Sequence, residues 1–185
     1  MKIKPTSRPG RVVVELNRRD DRLMEQSLQA AATSPFKLKE ILVPIDFSES
    51  SLKALRYALP MAEKFGARIT LLHVVEPRIS PEEMMLSSDI VELRNVVVKD
   101  GWRKLESLCN QTIKPAIASD TLVEVGRPYE EIVAAAKTHK TDLIIIATRG
   151  YTGLKHFFIG STAERVVRHA PCPVLTVRER EQDFV

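Results

Sequence analysis

The sequence has only two cysteines, Cys109 and Cys172, in 185 residues. They stand far apart, in neither a CxxC pair nor a Cys/His spacing that would hold a metal. They read as reduced, mostly buried small residues of a cytosolic chain. No apolar run reaches the about 20 residues that a membrane span needs. The basic start is not followed by the apolar stretch of a secretion signal, so the expected location is the cytoplasm. A Walker A sequence, a G-x-G-x-x-G turn, a G-x-S-x-G elbow and an HExxH helix are also missing. His73, His139, His156 and His169 are scattered without metal spacing. The carboxylate pairs Glu82-Glu83 and Glu130-Glu131 fall on loop or helix-start positions and read as solvated. No nucleophile with its base stands out, and no internal repeat.

What is present is an ordinary globular composition, 44% hydrophobic and 28% charged. The length suits one domain with a sizeable core. The formal net charge of +4 is unevenly placed. Residues 1–40 hold nine Lys or Arg against five Asp or Glu, and basic and acidic residues balance in the rest. A basic segment of this kind suits an acidic partner, nucleic acid or anionic lipid. Residues 1–37 read as a basic, flexible N-terminal arm, punctuated by Pro5, Pro9, Gly10 and Pro35. It carries a short β-like run at Val12-Val13-Val14 and a weak helical pattern over 20–32. A protein partner is expected for it, and neither membrane nor nucleic acid. Residues 38–180 form the folded domain and 181–185 a tail.

Within the domain, Ile41-Leu42-Val43-Pro44-Ile45 is nearly continuous in apolar character, as in a strand covered on both faces. Pro44 marks its end. Ser48-Glu49-Ser50-Ser51 offers cap chemistry for a helix. Leu52, Leu55, Leu59, Ala62 and Phe65 form that helix's apolar stripe, and Gly66 stops it. Residues 67–75 form a second strand, and a loop with Pro77 and Pro81 leads to a long helix from about Ser88. Its apolar side is Ile90, Leu93, Val97, Trp102, Leu105, Leu108 and Ile113. A third strand covers 121–125. A helix with Ile132, Val133, Ala135 and Ala136 follows Gly126-Arg127-Pro128. Leu143-Ile144-Ile145-Ile146 is the fourth strand. The last helix covers 161–169, with Val166 and Val167 inward, and Val174-Leu175-Thr176-Val177 is the fifth strand. The alternation predicts a doubly wound α/β sandwich of flavodoxin-like type: a five-stranded parallel sheet with helices on both faces. Ligands of such sheets sit beyond the carboxyl ends of the strands, where the winding reverses.

Three carboxyl-end segments carry candidate chemistry. Asp46, after the first strand, either accepts hydrogen bonds from ribose hydroxyls or caps the next helix. Beyond the fourth strand, Gly150, Gly153 and Gly160 let backbone amides approach phosphate oxygens. Ser161 and Thr162 open a helix whose N-terminus favours an anion. Ser161-Thr162-Ala163-Glu164 also fits a capping box with Ser161 as N-cap. The backbone at His73-Val74 suits an adenine edge, whereas the His73 side chain reads as packed.

Together these stretches resemble the universal stress protein family over roughly residues 38–178. The resemblance rests on the segment from Ile41 to Ser48, on Leu71-Leu72-His73-Val74, and on Gly150 through Gly160-Ser161 to Ala170-Pro171-Cys172-Pro173-Val174-Leu175. It is nearest the ATP-binding branch, whose loop has three glycines. Gly150 and Gly160 stand at the second and third, and Ala147 at the first, where its Cβ blocks φ > 0 and close approach. The resemblance implies that Asp46 bonds the ribose. It also implies that Pro44, Ile45 and Val74 line the adenine pocket, that Ile146 and Ala147 flank the nucleotide, and that Gly150, Gly160, Ser161 and Thr162 hold the phosphates. ATP, with Mg²⁺ or Mn²⁺, is the implied ligand, and a homodimer through 174–177 the implied assembly. The expected function is a stress-response regulator switched by an adenine nucleotide, with no catalytic set. The alternatives are a slow ATPase or nucleotidyl transferase on the same fold, and an interaction protein with a degenerate site.

Overall fold

Ile41, Leu42 and Val43 occupy the middle strand of a five-stranded parallel sheet. The computed structural model describes residues 2–5, 12–15, 37–76, 88–148 and 159–178. Strands are β1 (Lys2–Pro5), β2 (Val12–Glu15), β3 (Glu40–Pro44), β4 (Arg68–Val75), β5 (Ser119–Val125), β6 (Leu143–Ala147) and β7 (Val174–Val177). Helices are α1 (Glu49–Phe65), α2 (Ser88–Thr112), α3 (Pro128–Thr138) and α4 (Ser161–His169). The chain divides into two units, 1–37 and 38–185. In the first, β1 pairs antiparallel with β2, Ile3 opposite Val14. β2 matches the expected β-like run; β1, with one apolar residue and a terminal proline, gave no such signal. The helical pattern over 20–32 lies outside the described residues.

In the second unit the sheet order is β5-β4-β3-β6-β7. The chain builds outward from β3 through β4 to β5, then returns to lay β6 on the other side of β3. The winding therefore reverses between β3 and β6. The continuous apolar runs split by period two between the two faces. Ile41, Val43, Ile45, Ile69, Leu71 and Ile145 join α1 and α2 in one core. Leu42, Leu72, Ile144 and Ile146 join α3 and α4 in the other. Each such side chain, once buried, contributes roughly 1.5–3 kcal/mol.

α3 buries Ile132, Val133, Ala135 and Ala136 as expected, and the other helices bury part of their expected faces, with Phe65, Val97 and Val167 as the exceptions. α1 buries Ser51, Ala54, Leu55, Ala58 and Ala62, whereas Phe65 is 43% exposed. Three alanines at helical spacing bring the helix axis close to the sheet, with Leu55 and Tyr57 buried beside them. Val97 and Val167 are exposed as well, while Val166 is fully buried. Gly66 stops α1 in the left-handed conformation at φ 65°. Gly101 lies buried inside α2, and a Cβ there would meet Cδ2 of His73 at 3.0 Å. This glycine lets α2 settle onto β4. β5 begins at Ser119, two residues before its expected start.

Pro44 ends β3 as expected, and it also shapes the reversal point. The Ile45 amide donates to the Leu72 carbonyl on β4 at 2.7 Å. Successive amides point to opposite sides of a strand, so position 44 faces β6, and proline has no N–H to give. The β3–β6 ladder stops at Ile41–Leu143 and Leu42–Ile144. Beyond it the two strands part and leave a crevice at their carboxyl ends.

Candidate functional site

The crevice widens into a cavity of about 320 Å³. β3 supplies Pro44 and, just beyond its end, Ile45 and Asp46; β4 supplies Val74; β6 supplies Ile146 and Ala147. Gly160 and the first residues of α4, Ser161 and Thr162, close the opposite wall. These residues were expected to act together, and one cavity collects them. Gly150, expected beside them, lies outside the described residues, as does Gly153. The lining also includes Ser51, Glu76, Pro128, Ile132 and Thr148. Thr148 opens the candidate segment that runs on to Gly150, whereas the sequence gives Ser51 to the cap of α1 and Ile132 to the core and assigns Glu76 and Pro128 no site role.

The turn after β3 divides its side chains between core and cavity. Phe47 adopts a left-handed φ of 62°, a conformation that costs a bulky residue of order 1–3 kcal/mol. Its ring packs into the first core and against His73, with ring centroids 4.7 Å apart. Asp46 is left at the cavity. Its Oδ1 accepts from the Ser48 amide at 3.0 Å and from the Ser48 hydroxyl at 2.5 Å. Ser48 in turn caps α1 by accepting from the Ser51 amide at 3.2 Å. Asp46 therefore orients the cap without being it. His73 is packed: its Nδ1 lies 2.8 Å from the Ile45 carbonyl oxygen, bracing the turn from behind.

The far wall is set by Gly160. Its amide donates to the Thr148 carbonyl at 2.7 Å, and a Cβ would lie 3.0 Å from that oxygen. The glycine eases this close approach; its φ of −59° is open to any residue. Gly160 is also the N-cap of α4, and no side chain caps the helix. The capping box expected at Ser161 does not form: Ser161 is already helical, and Glu164 instead accepts from Arg168 at 2.8 Å. The first amides of α4 thus lack a side-chain acceptor, which leaves donors for an anion at the cavity wall. Ala147 ends β6 in register with Val177, and its φ is not positive. The backbone there needs none of glycine's freedom.

Among the described residues no three His, Cys, Asp or Glu side chains come together as a metal site. No helix there is long and apolar enough to cross a membrane. Chemically the cavity offers an apolar slot, one carboxylate held by a serine at the reversal point, and a helix N-terminus opposite. The class so defined is a doubly wound α/β protein with its binding crevice at the sheet's switch point. Residues 37–178 match the universal stress protein family, and the chain belongs to that family. The universal stress protein MJ0531 of Methanocaldococcus jannaschii is 34% identical over 146 residues, covering 78% of this chain and 85% of that protein. YxiE of Bacillus subtilis, also a universal stress protein, is 32% identical, covering 75% and 98%. The solved structure of MJ0577 from M. jannaschii superposes with a TM-score of 0.69 at 30% identity, covering 78% of this chain and 98% of that one. A universal stress protein solved in complex with cAMP shares the fold at 20% identity, with a TM-score of 0.51.

Proposed function

We propose that this chain is a cytoplasmic stress-response regulator that binds an adenine nucleotide, ATP above all, in the crevice between β3 and β6. The observation that carries this reading is the convergence of Asp46 and the N-terminus of α4 on one cavity with apolar walls. Adenine suits the slot of Pro44, Ile45, Val74, Ile146 and Ala147, where the backbone at Val74 is available to the base edge. Asp46 accepts from the ribose hydroxyls. The amides and hydroxyls of Ser161 and Thr162, with the backbone of Gly160, receive the phosphates, and Gly150 belongs to the same set by its place in the family pattern. A Mg²⁺ or Mn²⁺ ion arriving with the triphosphate would find Asp46 and Glu76 as lining carboxylates, and most of its ligands would be phosphate and water oxygens. The metal would offset phosphate charge.

On this reading, binding acts through conformation or partner capture. The outer edge of β7 is the proposed homodimer contact, and residues 1–37 the proposed protein-binding arm. Calorimetric titration of the full chain with ATP tests the nucleotide reading. Saturable heat and a raised melting temperature are expected; a ligand at a hundred times its Kd adds about 2.7 kcal/mol of stability. Absence of both at millimolar ATP would overturn it.

A further inference from the structure

Among the described residues, the charged ones lining the main cavity are Asp46 and Glu76, with no basic residue beside them. A triphosphate seated there would meet two carboxylates. A second cavity of about 230 Å³ shares Glu76, Pro128, Ser161 and Thr162 with the first and adds Arg127, Tyr129 and Arg165. The two are therefore contiguous, and the cations lie on one side of the shared wall. The Arg165 guanidinium sits 4.9 Å from the centroid of the Tyr129 ring. The Tyr129 hydroxyl donates to Glu130 at 2.7 Å, and the same carboxylate oxygen receives Arg127 at 3.4 Å. This chain of contacts holds both guanidiniums beside the second cavity. Arg127 shares its charge with Glu130; Arg165 has no carboxylate at ion-pair distance among the described residues.

We infer that this second cavity is an anion-accepting annex that reads how many phosphoryl groups the nucleotide carries. The inference rests on the nucleotide reading of the main cavity and adds a specificity device to it. Adenosine and the first phosphate are satisfied by the main cavity and α4. Further phosphoryls pass Ser161 and Thr162 into the annex, where Arg165 and Arg127 supply planar, forked donors suited to phosphate oxygens. The site thereby favours nucleoside polyphosphates over monophosphates and cyclic nucleotides.

The test is calorimetric titration of the parent and of the Arg127→Gln/Arg165→Gln variant with adenosine, AMP, ATP and inorganic tripolyphosphate. Arg168→Gln, which removes an exposed cation paired with Glu164 away from either cavity, controls for loss of net charge. Both arginines are exposed, and unchanged circular dichroism would establish that the variant folds. The parent is expected to prefer ATP to AMP by at least about tenfold and to bind tripolyphosphate; the double variant should lose most of that preference and the tripolyphosphate binding. Adenosine affinity should stay within about twofold, and Arg168→Gln should match the parent. An ATP-to-AMP ratio unmoved by the double substitution, or moved equally by Arg168→Gln, would overturn the annex while leaving the nucleotide site standing. Tripolyphosphate binding lost in the double variant, with no adenosine, AMP or ATP bound by the parent, would sink the nucleotide reading and keep an anion site. A parent that binds none of the four overturns both.

Discussion

Gly160 donates its amide to the carbonyl of Thr148 across 2.7 Å, and a Cβ on it would crowd that oxygen at 3.0 Å. That single contact fixes the start of α4 against the end of β6. Gly160→Val is therefore expected to push α4 outward and lower ATP affinity by at least about tenfold, alongside a loss of stability of about 1–3 kcal/mol from overpacking. Titration and thermal melting read the two effects separately. A variant that binds and melts like the parent would mean that the close approach does not matter to the site.

Asp46 accepts two hydrogen bonds from Ser48 through Oδ1. Asp46→Ala should weaken ATP binding by about tenfold, the value of one hydrogen bond to a charged group. It should also cost some stability through the loosened cap of α1. The ribose role predicts that the parent favours ATP over 2′,3′-dideoxy-ATP, and that this preference vanishes in Asp46→Ala. Persistence of the preference would assign the ribose contact elsewhere.

Gly101 and His73 form a testable pair. Gly101→Ala brings a Cβ within 3.0 Å of the His73 ring, which should outweigh the roughly 1 kcal/mol that alanine contributes to a helix interior. With His73→Ala already present the ring is gone, and Gly101→Ala should become stabilising. A denaturant double-mutant cycle measures the difference. Additivity would show that α2 shifts freely over β4.

Burial, and then the charges of Glu124 and Glu130, raise the pKa of Glu131; its carboxyl side chain lies against Gly126. A carboxyl with a folded pKa above its unfolded one adds stability while protonated, and that contribution fades as pH rises through the folded value. At pH 7 the charge is a cost. Glu131→Gln should melt slightly higher than the parent at pH 7, by no more than about 0.5 kcal/mol. The gain should disappear at a pH below the ordinary glutamate value of 4.5. An equal gain at both pH values would place its origin outside this titration.

The carbonyls of Pro173 and Val177 accept from the Ile144 and Thr148 amides. Position 176 therefore points its N–H away from β6, and proline there leaves the β6–β7 ladder intact. Thr176→Pro is expected to convert the proposed dimer to monomer in sedimentation velocity. A parent that sediments as a monomer would refute the β7 assembly.

The strands were legible because both faces of the sheet are covered, which writes Ile41-Leu42-Val43 and Leu143-Ile144-Ile145-Ile146 as unbroken apolar runs. The α1 stripe was legible at Leu55, Leu59 and Ala62, but it overshot at Phe65 and left out Ala54 and Ala58, because large residues outweigh alanines in a periodicity count. The capping box at Ser161 failed for a similar reason: Glu164 had a competing partner one turn on, in Arg168. Pro44 was readable as a strand end, but its effect on the β3–β6 ladder needs the strand order. Arg127 precedes α3 as its N-cap and Arg165 lies on α4, so the two share a cavity wall only once α3 and α4 pack side by side.

The β3–β6 ladder has only two residue pairs, backed at its amino-terminal end by the Asp142 contacts to Lys39 and Glu40, and nothing pairs the two strands beyond Leu42. Such a short seam resists twisting poorly compared with the seven-pair β4–β5 ladder beside it. Whatever spans from Asp46 to Ser161 works as a cross-brace, tying the two half-sheets where their own backbones have let go. Loading would then register as stiffness, with slower amide exchange along β3 and β6, and a surface far from the crevice could sense it without any atom of the ligand in reach.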